Sequence, residues 1–588
     1  MFNRKNQKEE GDGDSKNTNV VTLEATSDVE STHHQIRGLE NVDVDRQNLA
    51  KTQYQHRFLG LFGSKKQPFD LDSVATQPSV YDDLDKAPHY WPRSDYENIH
   101  RFDTDARWTW REELAVIKKV DLRIMLWAIV MFFGLEIDRS NLSQALSDNF
   151  LADLGMNTND YNNGQMIFRA SFLVAELPSQ LISKRIGPDR WIPAQITMWS
   201  IVALFQFFLK NRASFYVTRC LLGLIQGGFI PDVILYLSYF YTGRELPIRC
   251  SWFWVGMYVA DIVSAFLGFG ILHMRGVQGQ SGWRWLFLLE GIMTLCIGLL
   301  SFGLMPSSPT STASWFRGKK GWFSEREETI ITTRALRDDP TKGDMHNRQA
   351  ISFRVFKACI KDYGLWPLYL IGLLYGIPHG PVNSYLTLSL RQLGFDTFET
   401  NLLTIPSYVL VLVNLLIFTY ASEVLNSKFN SRTIITSLAQ WWMLPLIIAL
   451  NTFSEKTNTW VKYVVTTLIV GWPYPHAIQV AWCSRNANTV GSRTVAAALY
   501  NISVQLSNIV YSQIYREDDK PQYRRGNKIL LAFVCLNIVV YAGTYVYYWN
   551  LNRKKDRIWN QMSSEEQFDY IQNTKDIGSR RLDFRYAY

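Results

Sequence analysis

The stretch Gly134–Asn141, GLEIDRSN, puts two carboxylates and a guanidinium at the end of the apolar run from Ile124 to Leu135. A charge at the centre of an apolar span costs about 2.5–3.5 kcal/mol on insertion scales. Charges that persist there face a bundle interior or a wet cavity, pair with one another, and handle ions or protons. At roughly 100° per residue, Glu136 and Arg139 share one side of a helix and Asp138 points nearly opposite Glu136. In one reading Arg139 attracts an anion or pairs with an acid, while Glu136 or Asp138 carries a proton. In the other, the helix has already ended and these are interface charges.

Two further segments repeat the pattern. In QMIFRASFLVAELPSQ, Arg169 and Glu176 fall on one face two turns apart, either lining a path or forming a structural ion pair with a neighbour. In RCLLGLIQGGFIPDVILYLSYFY, Arg219 and Gln226 share a face. There, Gly223 and Gly227 form a close-contact stripe, Pro231 is expected to kink the helix, and Asp232 lies inside it. Gly256, Ala260, Ser264 and Gly268 form another packing stripe, with Asp261 beside it. Pro378, His379 and Pro381 interrupt one apolar segment, and Pro473, Pro475 and His476 interrupt a second. Broken helices in corresponding places point to a central site. Each histidine is either a group titrating near neutrality or an ordinary satisfied polar residue. The candidates are therefore Arg139, Arg169 and Arg219 for an anion, with Gln226 and His379 lining its cavity. Glu136, Asp138, Glu176 and Asp232 are the candidates for proton coupling.

Other chemistries lack their residues. The six cysteines are scattered without CxxC or Cys/His spacing, so neither a metal site nor a disulfide framework is expected. No phosphate-cradling glycine loop and no nucleophile–base pair is recognisable, so neither ATP-driven pumping nor an enzyme is expected. No cofactor is expected; a proton gradient is the obvious energy source. The net charge of +8 is modest, without a nucleic-acid motif. The expected partners are a small anion, protons and the bilayer, with no obligatory protein partner.

These residues must be positioned by membrane helices. The mean hydropathy of -0.10 conceals long apolar windows between Leu122 and Trp549, because polar residues gather at the two ends and in one central stretch. The expected fold is an all-α polytopic membrane protein with twelve spans, near residues 122–143, 162–183, 191–209, 216–240, 251–273, 285–305, 365–390, 400–424, 433–452, 461–483, 494–514 and 528–550. Residues 1–102 read as a disordered cytosolic tail and 103–121 as a juxtamembrane amphipathic segment. Residues 122–305 and 365–550 form two six-helix halves joined by a central cytosolic loop, 306–364, and residues 551–588 form a cytosolic tail. Lys and Arg near the span ends place both termini in the cytosol. The loop YREDDKPQYRRGNK conflicts with that rule, carrying five basic residues on the outer side.

Six helices, a long loop and six helices is the layout of a major facilitator transporter. IDRSN, RCLLGLIQGGFIPD, SGWRWLFLLEG, WFSEREETIITTRALRDDP and REDDKPQYRRGN resemble the allantoate permease branch of the fungal major facilitator superfamily, over roughly residues 110–588. MNTNDYNNGQ, GGFIPDVILYLSYFYTG, RDDPTKGDMHNRQ and KDIGSRRLDFRYAY resemble the yeast carrier of sulfonates and inorganic sulfur anions within that branch. The resemblance implies proton symport of an organic or sulfur-containing anion, with sulfonate, sulfite or thiosulfate favoured, across the plasma membrane. A carboxylate vitamin or allantoate-type substrate is the alternative, and a transporter-like nutrient sensor is the rival from another class. Two positions depart from the pattern. Gln226 stands where the branch often has glutamate, and SKRIGPDR lacks the early aspartate of the superfamily's loop motif.

Overall fold

The computed structural model describes residues 70–588, apart from 83–86, 93, 95, 244, 341, 344–356, 358–359, 430–431, 455, 488–489 and 575–577. Residues 1–69 of the expected tail lie outside the described residues. Helix α1 is Trp110–Val120, opened by a capping box in which Thr109 and Glu112 satisfy each other's backbone N–H groups. A π turn, Asp121–Met125, joins it to α2, Leu126–Leu146. Helix α3 is Thr158–Ile186, α4 Pro188–Phe205, α5 Arg212–Gln226 and α6 Phe229–Leu237. Helix α7 is Leu246–Ile271 and α8 Gly282–Leu304. In the central stretch, α9 is Glu325–Asp338.

The second bundle is more broken. Helix α10 is Trp366–Leu374, α11 Gly380–Ser384, α12 Leu386–Gln392 and α13 Thr397–Phe429. Helix α14 is Arg432–Thr452, α15 Thr459–Val470, α16 His476–Asn486, α17 Val490–Tyr511, α18 Arg524–Gln561 and α19 Ser564–Asn573. Helical segments thus occupy all twelve expected positions, and no strand longer than an isolated bridge forms among the described residues. Among the described residues, seven spans are long and apolar enough to cross a membrane by length and composition alone. The others are broken or carry many polar residues.

Where the breaks fall has a local cause. The fourth span parts at Gly227–Gly228, not at Pro231 as the sequence suggests. Pro231 occupies the first turn of α6, where its missing N–H has no intrahelical acceptor to lose. The seventh span opens over 375–379 and the tenth over 471–475, at the proline clusters. Between α3 and α4, Gly187 takes φ +98°, a conformation that suits glycine, and Pro188 begins the next helix.

The helices gather in two bundles. We call the end that bears α1 and α9 the near end, and the end at which α2 finishes the far end. Every interbundle hydrogen bond among the described residues lies at the far end. Tyr385 donates to Asn162 Oδ1 at 2.5 Å, Tyr161 to the Ser384 carbonyl at 3.2 Å, and Thr387 to the Ser143 carbonyl at 2.6 Å. Two of the five basic residues of the loop at that end are paired within it, Lys520 on Glu517 at 2.8 Å and Arg525 on Asp518 at 2.7 Å.

The composition-based expectation of disorder across 1–102 fails for its last third. Residues 73–75 bridge to 108–110, with the Ala75 N–H donating to the Trp108 carbonyl at 2.8 Å. Val80, Tyr81 and Tyr96 pack on Leu336 of α9. Arg337 grips Asp82 at 2.5 Å, and Arg101 pairs with Glu328 at 2.9 Å. A few aromatics suffice because α9 supplies both the apolar seat and the counter-charges.

Candidate functional site

The GLEIDRSN charges sit inside α2, not beyond its end: Glu136 is 9%, Asp138 1% and Asn141 0% exposed. This removes the interface-charge reading. Arg139 Nη1 donates to Glu136 Oε1 at 2.8 Å, and Arg139 Nε donates to Gln226 Oε1 at 3.3 Å. The side of α2 facing α5 therefore holds an acid, a guanidinium and an amide.

Phe168 of α3 organises the other two arginines. The Arg219 guanidinium lies 4.5 Å from the centre of its ring, Arg169 5.5 Å and Arg139 6.0 Å. A ring face is attractive to cations, so Phe168 gathers three of them where like charges would otherwise spread apart. Arg219, 2% exposed, donates to Gln165 Oε1 at 3.2 Å. Among the described residues neither Arg169 nor Arg219 has a carboxylate ion-pair partner, unlike Arg139. The alternative of a structural ion pair with a neighbouring helix is not met by Arg169 among the described residues. Arg169 instead lines a small recess between the bundles with Tyr161, Asn162, Gln165, Tyr385 and Tyr511.

The close approach that makes this cluster possible comes from the glycine stripe. A Cβ on Gly223 would sit 2.3 Å from the Phe168 carbonyl oxygen, and one on Gly227 2.5 Å from that of Phe172. The stripe on α7 has the same role against α2, where a Cβ on Gly268 would lie 3.3 Å from Gln144. Its neighbour Asp261 feels the charge of Glu136.

The remaining candidates separate into three places. Glu176 and Asp232 form a second acidic group, close enough to interact electrostatically. Ser179 donates to Asp232 at 3.2 Å and accepts from Gln195 at 2.8 Å and Trp191 at 2.9 Å. Asp138 faces away from the arginines, toward α8 and α4. His379 belongs to the second bundle, stacked on Trp472 with ring centres 4.8 Å apart.

The sequence reading missed most of the second bundle's share. Trp472 stacks near Tyr375, and Tyr375 hydrogen-bonds His476 at 3.2 Å. Trp254 and Tyr258 of α7 meet His476 and Tyr474 edge-on across the bundles, at 5.3 and 6.1 Å. Arginines on one bundle thus oppose an aromatic wall on the other. The signal was present, since both proline-broken segments carry aromatics around the break. Only the fold shows that the two breaks adjoin.

Comparison with known proteins agrees with this architecture. The Major Facilitator Superfamily profile matches residues 128–512. The uncharacterized transporter YIL166C of Saccharomyces cerevisiae is 46% identical over 523 residues, covering 88% of this chain and 95% of that one. The MFS-type transporter efuF of Hormonema carpetanum is 26% identical over 452 residues, covering 76% and 87%. Among solved structures, a bacterial homologue of the human lysosomal transporter Spinster, inward-facing and unoccupied, superposes with a TM-score of 0.54 at 14% identity, covering 72% of this chain and 95% of that one. The xylose transporter XylE of E. coli, partially occluded and inward open, superposes with a TM-score of 0.52 at 15% identity, covering 72% and 97%. With its fold, its family profile and its relatives in accord, the chain belongs to the major facilitator superfamily, a family of multi-pass membrane transporters rather than enzymes.

Proposed function

We propose that this transporter is a proton-coupled symporter of the allantoate permease type that imports a small organic or sulfur-containing anion, with sulfonate, sulfite or thiosulfate favoured. The observation that carries the reading is the cluster of three arginines around Phe168, two of them without a carboxylate partner. Desolvated guanidinium groups are stabilised by an anion, and the bilayer offers none of its own at that depth. Glu136 competes with the substrate for Arg139. A proton delivered to Glu136, or to one of the acids Asp138, Glu176 and Asp232, shifts the local charge so that anion and proton bind together. The proton gradient is the energy source.

The positions of Lys and Arg favour both termini in the cytosol of a plasma-membrane protein, with halves 122–305 and 365–550 rocking about the site. In that orientation the far end faces outward, and its interbundle hydrogen bonds close the outer gate. The aromatic wall of Tyr375, His379, Trp472 and Tyr474 favours a second reading within transport: an anion with a flat organic body, such as a carboxylate vitamin.

The test is uptake of labelled isethionate at acidic and neutral external pH, in yeast lacking their own sulfonate carriers, with surface expression verified. Saturable uptake that is faster in acid is the expected result. No uptake despite surface expression rejects the sulfonate reading and moves the choice to labelled nicotinate. Uptake indifferent to pH rejects proton coupling.

A further inference from the structure

A second pair of carboxyl groups lies on the other side of α2, away from the arginines. The α2 and α8 helices run antiparallel in close contact. A Cβ on Gly134 would meet Ile297 Cδ1 at 3.3 Å and Thr294 Cγ2 at 3.6 Å. One turn further along α2 comes Asp138, beside Thr294 and the Trp199 indole of α4. Another turn brings Asn141, beside Glu290, which is itself one turn from Thr294. The same helix register thus places Asp138 and Glu290 within about one helical turn of each other, close enough for the charge of Asp138 to act on Glu290.

Both are 1% exposed. Their polar neighbours are all neutral, Thr294 and Trp199 beside Asp138 and Asn141 beside Glu290, and none of these contacts has the geometry of a full hydrogen bond. Among the described residues no cation pairs with either carboxyl. Arg139 leaves α2 on the opposite side to bind Glu136. Arg284 of α8 lies at the far end, bonded to the Phe207 and Leu209 carbonyls. The charged residues of α4, Asp189 and Arg190, sit at its near-end start, and Asp261 of α7 turns toward Glu136. Two neighbouring carboxyl groups, desolvated and without a cation, do not both remain ionised.

We propose that Asp138 and Glu290 form a shared-proton site buried between α2, α4 and α8, and that Glu290 takes part in proton coupling. A proton drawn from outer water takes the pair from one negative charge to none, and its release inward restores that charge. Because Asp138 and Arg139 are adjacent on one rigid helix, the charge of the pair is felt at the anion site without a shared contact. The consequence for coupling rests on the proton-symport reading; the shared proton itself does not.

The experiment therefore has two arms. In the first, purified full-length protein without substrate is titrated while the infrared carbonyl stretch of protonated carboxyl groups is followed. A titrating band that disappears in both Glu290→Gln and Asp138→Asn is expected, and Glu290→Asp should restore it at a shifted frequency. A band unchanged in Glu290→Gln, or one lost only with Asp138, overturns the shared site. In the second arm, uptake of labelled isethionate, or of nicotinate if isethionate is not carried, is compared at acidic and neutral pH. Equal rates at the two pH values in Glu290→Gln, with pH dependence kept in Glu290→Asp, support coupling through the pair. Wild-type pH dependence in Glu290→Gln overturns it, whereas pH independence in the wild type overturns the symport reading instead.

Discussion

Replacing Glu136 by glutamine tests the competition at the centre of the proposed mechanism. The Arg139–Glu136 contact is 2.8 Å, with side-chain exposures of 15% and 11%. Taking the charge centres as about 4 Å apart in an effective dielectric of roughly 20, the attraction is about 4 kcal/mol. An anion bound to Arg139 must work against that carboxylate. Glutamine keeps the shape and a neutral hydrogen bond worth about 1 kcal/mol. The difference, about 3 kcal/mol, is on the order of a hundredfold in anion affinity; partial screening by Gln226 and by water reduces it, so tenfold is the smallest gain consistent with the geometry. Meanwhile the substrate-free protein loses stability, because a partly buried guanidinium loses its counter-charge. The assay is binding of labelled isethionate to purified protein at neutral and acidic pH, with melting temperature followed in parallel. The wild type should bind the anion more weakly than the variant at neutral pH. Glu136→Gln should be tight at both pH values, melt lower without ligand, and show a larger ligand-induced shift. Weaker binding at neutral pH, or a wild-type pH dependence, would refute the idea that Glu136 and the substrate compete.

Two further outcomes follow from packing and from charge. Gly227→Ala forces a methyl group to within 2.5 Å of the Phe172 carbonyl oxygen and 2.9 Å of Ala175 Cβ, so α3 and α5 must separate; the expected loss is about 1–3 kcal/mol, read as a lower melting temperature, whereas Gly270→Ala, with nothing within 4 Å, should leave it unchanged. At the near end, burial works against the charge on Asp82, but the Arg337 hydrogen bond and charge, the Ser79 N–H and Arg107 outweigh it and hold the carboxyl below its usual range. A depressed carboxyl stabilises above its unfolded value and loses that contribution only as pH falls through the folded one. The segment 70–109 should therefore resist limited proteolysis from neutral to mildly acidic pH, be cut only in strong acid, and be cut several-fold faster at neutral pH in Asp82→Asn; identical cleavage of that variant would show that Arg337 needs only the backbone carbonyls of Gln77 and Thr104 that it also binds.

The sequence alone determined the helical, membrane-spanning architecture, because apolar runs of span length have few other solutions in a chain whose polar residues are segregated. It also marked the breaks at Pro378–Pro381 and Pro473–Pro475, since proline cannot continue the backbone ladder, and it selected Arg139, Arg169, Arg219 and Gln226 as residues too polar to face lipid. Helical phase separated Glu136 from Asp138. What each side faced was beyond it, because a helix specifies directions but not neighbours. Only the tertiary structure brought Gln226 to Arg139 and Glu290 near Asp138, set His379 in an aromatic wall across from the arginines, and moved the fourth span's break from Pro231 to Gly227–Gly228. The same holds at the near end. A segment poor in apolar residues reads as disordered by composition, yet Tyr81, Tyr96 and Asp82 acquire order from α9, more than two hundred residues away along the chain.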